Sequence, residues 1–282
     1  MSLSLSVIAT LYGNASDDSG NSLLATLYGF GGQSAGSNGL TPSQALQSAE
    51  QNQAQDVTMT AAQPQVSRAI QAFTAAVKSA TSVQQLLGNP AVMQVLLTAN
   101  GLADQIPYTA LAQKALTSNL SDPQSLANTL TDTRWKSAAQ TYDFAAKGLA
   151  VIQNPSVIST ITNAYAEVTW RNSLDATTPG LSNALTFRSE ASTITSVDQI
   201  LGDPVMRTVV TTALGIPQEI AFQDITAQET AISTRIDVKN FQDPKYVESF
   251  VQRYLINAGS AAAPASTPDL TSLAIQASGL VV

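Results

Sequence analysis

A nine-residue block occurs twice in this chain, 114 residues apart. Ser82–Pro90 reads Ser-Val-Gln-Gln-Leu-Leu-Gly-Asn-Pro, and Ser196–Pro204 reads Ser-Val-Asp-Gln-Ile-Leu-Gly-Asp-Pro. The same register continues through Val95/Val209, Thr98/Thr212, Ala99/Ala213, Gly101/Gly215, Leu102/Ile216 and Ile106/Ile220. The kept positions are cap residues, prolines, glycines and apolar residues at helical spacing, which specify backbone shape rather than chemistry. Such a repeat predicts one helical unit used twice. Farther on, Leu120–Pro123 pairs with Phe241–Pro244 at an offset of 121, which puts about seven extra residues into the second copy.

The elements between these blocks announce themselves by how they start. Asn89-Pro90, Asp122-Pro123, Asn154-Pro155, Asp203-Pro204 and Asp243-Pro244 each set an Asx side chain at an N-cap and proline at the first helical position. The Asx oxygen accepts an otherwise unpaired amide, and proline has no amide to leave unpaired. Apolar stripes follow at steps of three and four: Val92, Val95, Leu96; Leu126, Leu130; Val157, Ile158, Ile161, Tyr165, Val168; Val205, Val209, Ala213; and Val247, Phe250, Val251, Tyr254. A further stripe, Val66, Ile70, Phe73, Val77, precedes the first block, and no sustained alternation of period two is present. The fold class read from this is all-α, with two similar helical units at 61–150 and 184–258 joined by a connecting helix and loop at 151–183.

The ends read differently. Ile8–Gly13 recurs as Leu24–Gly29, placing Leu11-Tyr12 and Leu27-Tyr28 in a short N-terminal repeat, followed by a glycine- and serine-rich link at 30–40. Thr41-Pro42 starts a polar helical pattern through Ala45, Ala49 and Ala54 that has little apolar face. Residues 1–60 are therefore read as a partly flexible extension. Residues 259–282 are read as a linker and an apolar segment carrying Leu270 and Leu273. Leu11, Tyr12, Leu27, Tyr28, Leu270 and Leu273 are candidate partner contacts, with frayed tails as the alternative.

Composition narrows the function classes. With no cysteine and no histidine, the chain has no disulfide, thiol nucleophile, His–Cys zinc site or histidine base. Only 12% of residues are charged and the net charge is −7, so the surface offers little to phosphate backbones or anionic lipid. The first residues lack a basic n-region, and no run approaches the roughly 18 apolar residues of a spanning helix. These features predict no nucleic-acid partner, no membrane insertion, no cleaved signal peptide and no cofactor. Asp17-Asp18 lacks a calcium-loop ladder, Lys78, Lys114 and Lys147 lack a Ser-x-x-Lys arrangement, and Gly31-Gly32 follows no strand.

One stretch is more specific. Ser121-Asp122-Pro123-Gln124-Ser125-Leu126-Ala127-Asn128-Thr129-Leu130-Thr131-Asp132-Thr133-Arg134-Trp135, ending near Tyr142-Asp143-Phe144, is the longest motif in the chain. Physically, Asp122 and Pro123 read as a helix cap, Leu126 and Leu130 as core-facing, and Ala127 as a site of close helix approach. Asn128, Asp132 and Arg134 form a polar cluster suited to a buried network in which Asp132 accepts from the Arg134 guanidinium; the alternative is a ligand or partner site. Trp135 continues onto a following helix.

This motif, with Gln63–Arg68 running on to Ser82–Leu87, resembles domain-of-unknown-function family 1217 over about residues 61–258. The second copy departs from the pattern, carrying Tyr246-Val247-Glu248-Ser249 after its Asp-Pro. The resemblance implies a non-enzymatic protein of alphaproteobacterial type, whose relatives' genes sit among flagellar genes. The expected role is structural or in assembly at the flagellum, through contacts with other flagellar proteins or with copies of itself. Export without a cleaved signal peptide is the expected route. A cytoplasmic chaperone or regulator of flagellar assembly is the alternative, and an enzyme is the remotest reading.

Overall fold

The computed structural model describes residues 40–262, and every regular element among them is helical. Leu11, Tyr12, Leu27, Tyr28, Leu270 and Leu273 lie outside the described residues. Helix α1 (Pro42–Ala62) leads into α2 (Pro64–Ser79), the short α3 (Val83–Leu87) and α4 (Pro90–Ala99). A 3₁₀ turn (Ala103–Gln105) then precedes α5 (Thr109–Leu116), α6 (Leu126–Thr129), α7 (Thr133–Tyr142), α8 (Phe144–Lys147) and the long α9 (Pro155–Leu174). The second half runs α10 (Leu181–Glu190), α11 (Val197–Gly202), α12 (Pro204–Ala213), α13 (Ile225–Ser233) and α14 (Pro244–Ala262), with 3₁₀ turns at Ala191–Thr193, Gln218–Phe222 and Val238–Gln242.

Packing follows the apolar stripes. In the first half α4 packs against α2 and α9, and Phe73, Val77, Leu86, Val92, Leu96, Ile152 and Ile161 share one core. In the second half α12 packs against α10 and α14. There Phe187, Phe241 and Phe250 meet at ring separations of 5.2 to 5.6 Å in stacked and edge-on pairs, geometries that add to simple burial. Trp170, near the end of α9, is buried.

Around the repeated block the two halves share most of their capping bonds, and the second adds a Ser196 amide bond to Gln199 and a Met206 amide bond to Asp203. Ser82 Oγ accepts the Gln85 amide and Ser196 Oγ the Gln199 amide, while Gln85 Oε1 and Gln199 Oε1 accept the amides of Thr81 and Thr195. Asn89 and Asp203 cap α4 and α12. Both helices end on a left-handed glycine, Gly101 at φ 71° and Gly215 at φ 62°, a conformation that glycine adopts without a Cβ penalty. The following amide returns to the helix in each case, Leu102 to the Leu97 carbonyl at 2.8 Å and Ile216 to the Thr211 carbonyl at 2.9 Å.

Two sequence readings need correction. Asp122-Pro123 does not start a helix: Asp122 Oδ1 accepts the Gln124 amide at 2.9 Å in a turn, and the next helix, α6, begins at Leu126. Its partner in the sequence pairing, Asp243-Pro244, does start a helix, the 19-residue α14. The two Asp-Pro pairs therefore occupy different local structures. The second correction concerns the boundary at 60/61, which α1 crosses. This helix buries Ala45, Leu46, Ala49 and Thr60 against α2, α9, α10 and α14. Its small apolar face suffices because small residues on a four-sided contact are enclosed without a wide stripe.

Candidate functional site

The Arg134 site is built by three local decisions of the chain. The left-handed turn at Gly101 points its carbonyl away from α4, Asp132 caps α7 by accepting the Arg134 amide at 3.0 Å, and the helix carries the Arg134 side chain back over that cap. Arg134 Nε and Nη2 reach Asp132 at 3.0 and 2.7 Å, Nη1 donates to the Gly101 carbonyl, and Nη2 lies 3.4 Å from Asp104. The Arg134 side chain is 11% exposed. Burial works against its charge, but the hydrogen bond and charge of Asp132, with Asp104 and Asp203 beyond, outweigh it and push the guanidinium pKa up.

Asn128 belongs to a different set of bonds. Its Nδ2 donates to the Leu120 and Asp122 carbonyls and to Ser125 Oγ, closing the 120–125 turn on itself. The motif thus splits into a loop staple (Asp122, Ser125, Asn128) and an ion pair (Asp132, Arg134). Pro123 is exposed in the turn, Ala127 is buried, Leu126 and Leu130 pack at the edge of the first core, and Trp135 is 1% exposed inside it.

Arg134 stands on the rim of a cleft of about 1020 Å³ between the halves. Its walls are the end of α4, the outer face of α7, Glu167 and Arg171 of α9, Thr186 and Glu190 of α10, and Asp203 at the start of α12. Sequence reasoning missed most of these. The spacing of Glu167 and Arg171, four apart on one helix, was a legible signal for their 2.5 Å pair. Arg171 also donates to Thr186 Oγ1 at 3.2 Å, and Glu167 accepts from Gln53 of α1 at 2.9 Å. Nothing local in the sequence marks Glu190. Burial and the neighbouring Asp203 raise its pKa, opposed by Arg171 and Arg134.

On the far side of α10, Arg188 joins Glu50 of α1 to Glu248 of α14, each at 2.7 Å. Asn100 donates to Tyr142 Oη at 2.8 Å, and burial raises the Tyr142 pKa against that bond. The cleft's arginines pair with carboxylates, the Gly101 carbonyl and the Thr186 hydroxyl within the protein, except that the buried Arg171 Nε has no partner. The rest of the lining is mostly amide and hydroxyl side chains such as Gln140 and Asn172, with the exposed Lys136 among them, a lining suited to hydrogen bonding a polar partner. Among the described residues no group of three or more acidic side chains is arranged to hold a metal, and no helix is long and apolar enough to cross a membrane.

A family model described as protein of unknown function (DUF1217) matches residues 99–247, which span the Arg134 site, the cleft and most of the second half. The chain is also similar to the X-ray crystal structure of protein AGR_C_984 from Agrobacterium tumefaciens. The two share 25% identity with a TM-score of 0.67, over 80% of this chain and 96% of that one. No curated protein matches the sequence.

Proposed function

The chain belongs to the DUF1217 family of proteins of unknown function, and from that membership we propose a non-enzymatic role as a flagellum-associated structural or assembly protein acting through protein–protein contacts. The observation that supports the reading is a pair of exposed aromatics at matched places in the repeat. Tyr108 and Phe222 lie 114 residues apart, Tyr108 directly before α5 and Phe222 at the end of the 3₁₀ turn before α13, and are 60% and 92% exposed; Ile225, the first residue of α13, is 51% exposed. Large apolar side chains held out to solvent cost solubility, and aromatic anchors of this kind carry much of the energy of protein interfaces. A chain with 12% charged residues adds little long-range repulsion to such contacts.

A second reading, a cytoplasmic module that holds one flagellar protein, is favoured by the polar cleft. Cell fractionation separates the two. Cytosol, purified hook–basal bodies and medium are probed for the wild-type chain and for a Tyr108→Ser/Phe222→Ser double variant. Co-purification with the basal body or appearance in the medium, lost in the double variant, is the expected result. A cytosolic complex of fixed composition favours the second reading. Normal motility and normal distribution of the double variant would sink the aromatic-contact proposal.

A further inference from the structure

The repeat matches beyond the block visible in sequence, and the way it matches isolates one segment. Phe73 and Phe187, 114 residues apart, are both fully buried, as are Leu86 and Ile200 and then Val95 and Val209. Past α5 and α13 the correspondence resumes at an unexpected pair. Gln153 Nε2 donates to the Ala80 carbonyl at 2.9 Å, and Gln242 Nε2 donates to the Ile194 carbonyl at 3.3 Å. Ala80 and Ile194 are 114 apart, whereas the two glutamines are 89 apart. Each glutamine is followed by an Asx-Pro cap, Asn154-Pro155 or Asp243-Pro244, and by a long helix with buried positions in step: Ile158, Ile161, Tyr165 on α9 and Val247, Phe250, Tyr254 on α14.

The structural partner of Asp243-Pro244 is therefore Asn154-Pro155, and the first half carries 25 residues that the second lacks, the difference between the two offsets. They fall between α5 and Leu149; the matching stretch of the second half is 231–237, of which Ala231–Ser233 extend α13 and only Thr234–Asp237 lie between it and Val238. The first-half segment contains α6, α7 and α8, and with them the family motif.

The placement of the segment shows what it does. Its α7 packs on α5 of the first half and touches α11 of the second. Arg134 ties the start of α7 back to Gly101 and Asp104 in the first half, while Asp203 of the second half adds to the field that holds its charge. At the other contact Gly202 ends α11 so close to the segment that a Cβ there meets the Thr131 carbonyl at 3.0 Å and Thr133 Cγ2 at 2.8 Å. Gly202 has an ordinary backbone conformation, so the neighbour and not the torsion demands glycine.

We propose that residues 117–148, which hold the 25 extra residues of the first copy of a duplicated unit, form a strap that fixes the angle between the two copies, with Arg134 as its positioning residue and Gly202 as its seat. The width of the cleft follows from that angle, because Arg134 of the first half and Asp203 of the second both line it. The inference rests on geometry within the chain and is independent of a flagellar role.

The chain has no cysteine, so a Lys78→Cys/Lys245→Cys pair accepts two spin labels, one per half, for a distance measurement by double electron–electron resonance. Arg134→Gln and Gly202→Ala strike the strap from opposite sides, and Gln55→Ala, at an exposed position of α1 outside the strap, is the control. Both test variants are expected to shift or broaden the inter-half distance while keeping the helical circular dichroism, with the control unchanged. Should Arg134→Gln unfold the chain, Gly202→Ala decides by itself, since the helix backbone tolerates alanine. An unchanged distance in Gly202→Ala overturns the strap, as does a shift of equal size in Gln55→Ala.

Discussion

Around Glu190 the walls of the cleft and the Asp203 carboxylate both disfavour ionisation, and the opposing pull of Arg171 and Arg134 leaves its pKa above the ordinary carboxylate value. A group whose pKa rises on folding contributes stability that is complete below its unfolded pKa and is lost as pH climbs through the folded one. Near pH 7 the charged Glu190 is thus a cost to the fold, a small one because the residue is exposed at the cleft and solvent screens its charge. Glu190→Gln is expected to raise the denaturation midpoint at about pH 7, with the gap closing as pH falls below the usual carboxylate range. Equal or lower stability of the variant near neutral pH would show that the arginines dominate instead. At this scale the sequence is half legible. Asp132 and Arg134, two apart across a cap, meet because local geometry brings them together; Glu190 and Asp203, thirteen apart with α11 between them, meet only because the fold turns.

Asx-Pro pairs predict helix starts at five places, and four of them, at Asn89, Asn154, Asp203 and Asp243, do begin helices. Asp122-Pro123 fails for a physical reason. An Asx oxygen satisfies a turn amide as readily as a helix amide, and the chain commits to a helix only where a long apolar face follows to be buried. After Pro123 comes α6, four residues long, before Asp132 opens a second cap, so the turn prevails. The glutamines before two of the true starts carry more than their sequence suggests. Gln153 supplies donors to both the Val77 and Ala80 carbonyls, at 3.0 and 2.9 Å, closing the end of α2, while Gln242 makes one bond at 3.3 Å from an exposed position. Leaving two partly buried carbonyls unpaired in Gln153→Ala is expected to cost about 2 kcal/mol, and Gln242→Ala about 0.5 kcal/mol, in chemical denaturation. If the two substitutions cost the same, these bonds are not what closes the helix ends.

For the molecule as a whole, α1 is the element whose importance was least visible. Its stripe is alanine with one leucine, yet it lies across α9, α10 and α14, fixed by Glu50–Arg188 and Gln53–Glu167. Removing residues 1–60 deletes Leu46 and its buried alanines. That loss is expected to cost at least the roughly 2–3 kcal/mol of one buried leucine and to lower Tm clearly, whereas a chain starting at Leu40 keeps every described residue around α1. Melting curves of the two truncations decide, and matching curves would mean that α1 is dispensable. Sequence by itself determined the helical class, the capped starts of α4, α9, α12 and α14, and the glycine ends of α4 and α12. Each depends on bonds within a few residues and on periodicity within one helix. Only the tertiary structure decided that α1 joins the core, that Asp243 answers to Asn154, and that the motif around Arg134 bridges two halves. Those outcomes depend on which surfaces meet across gaps of tens of residues, where burial and close approach are settled by the packed fold and leave no local mark on the chain.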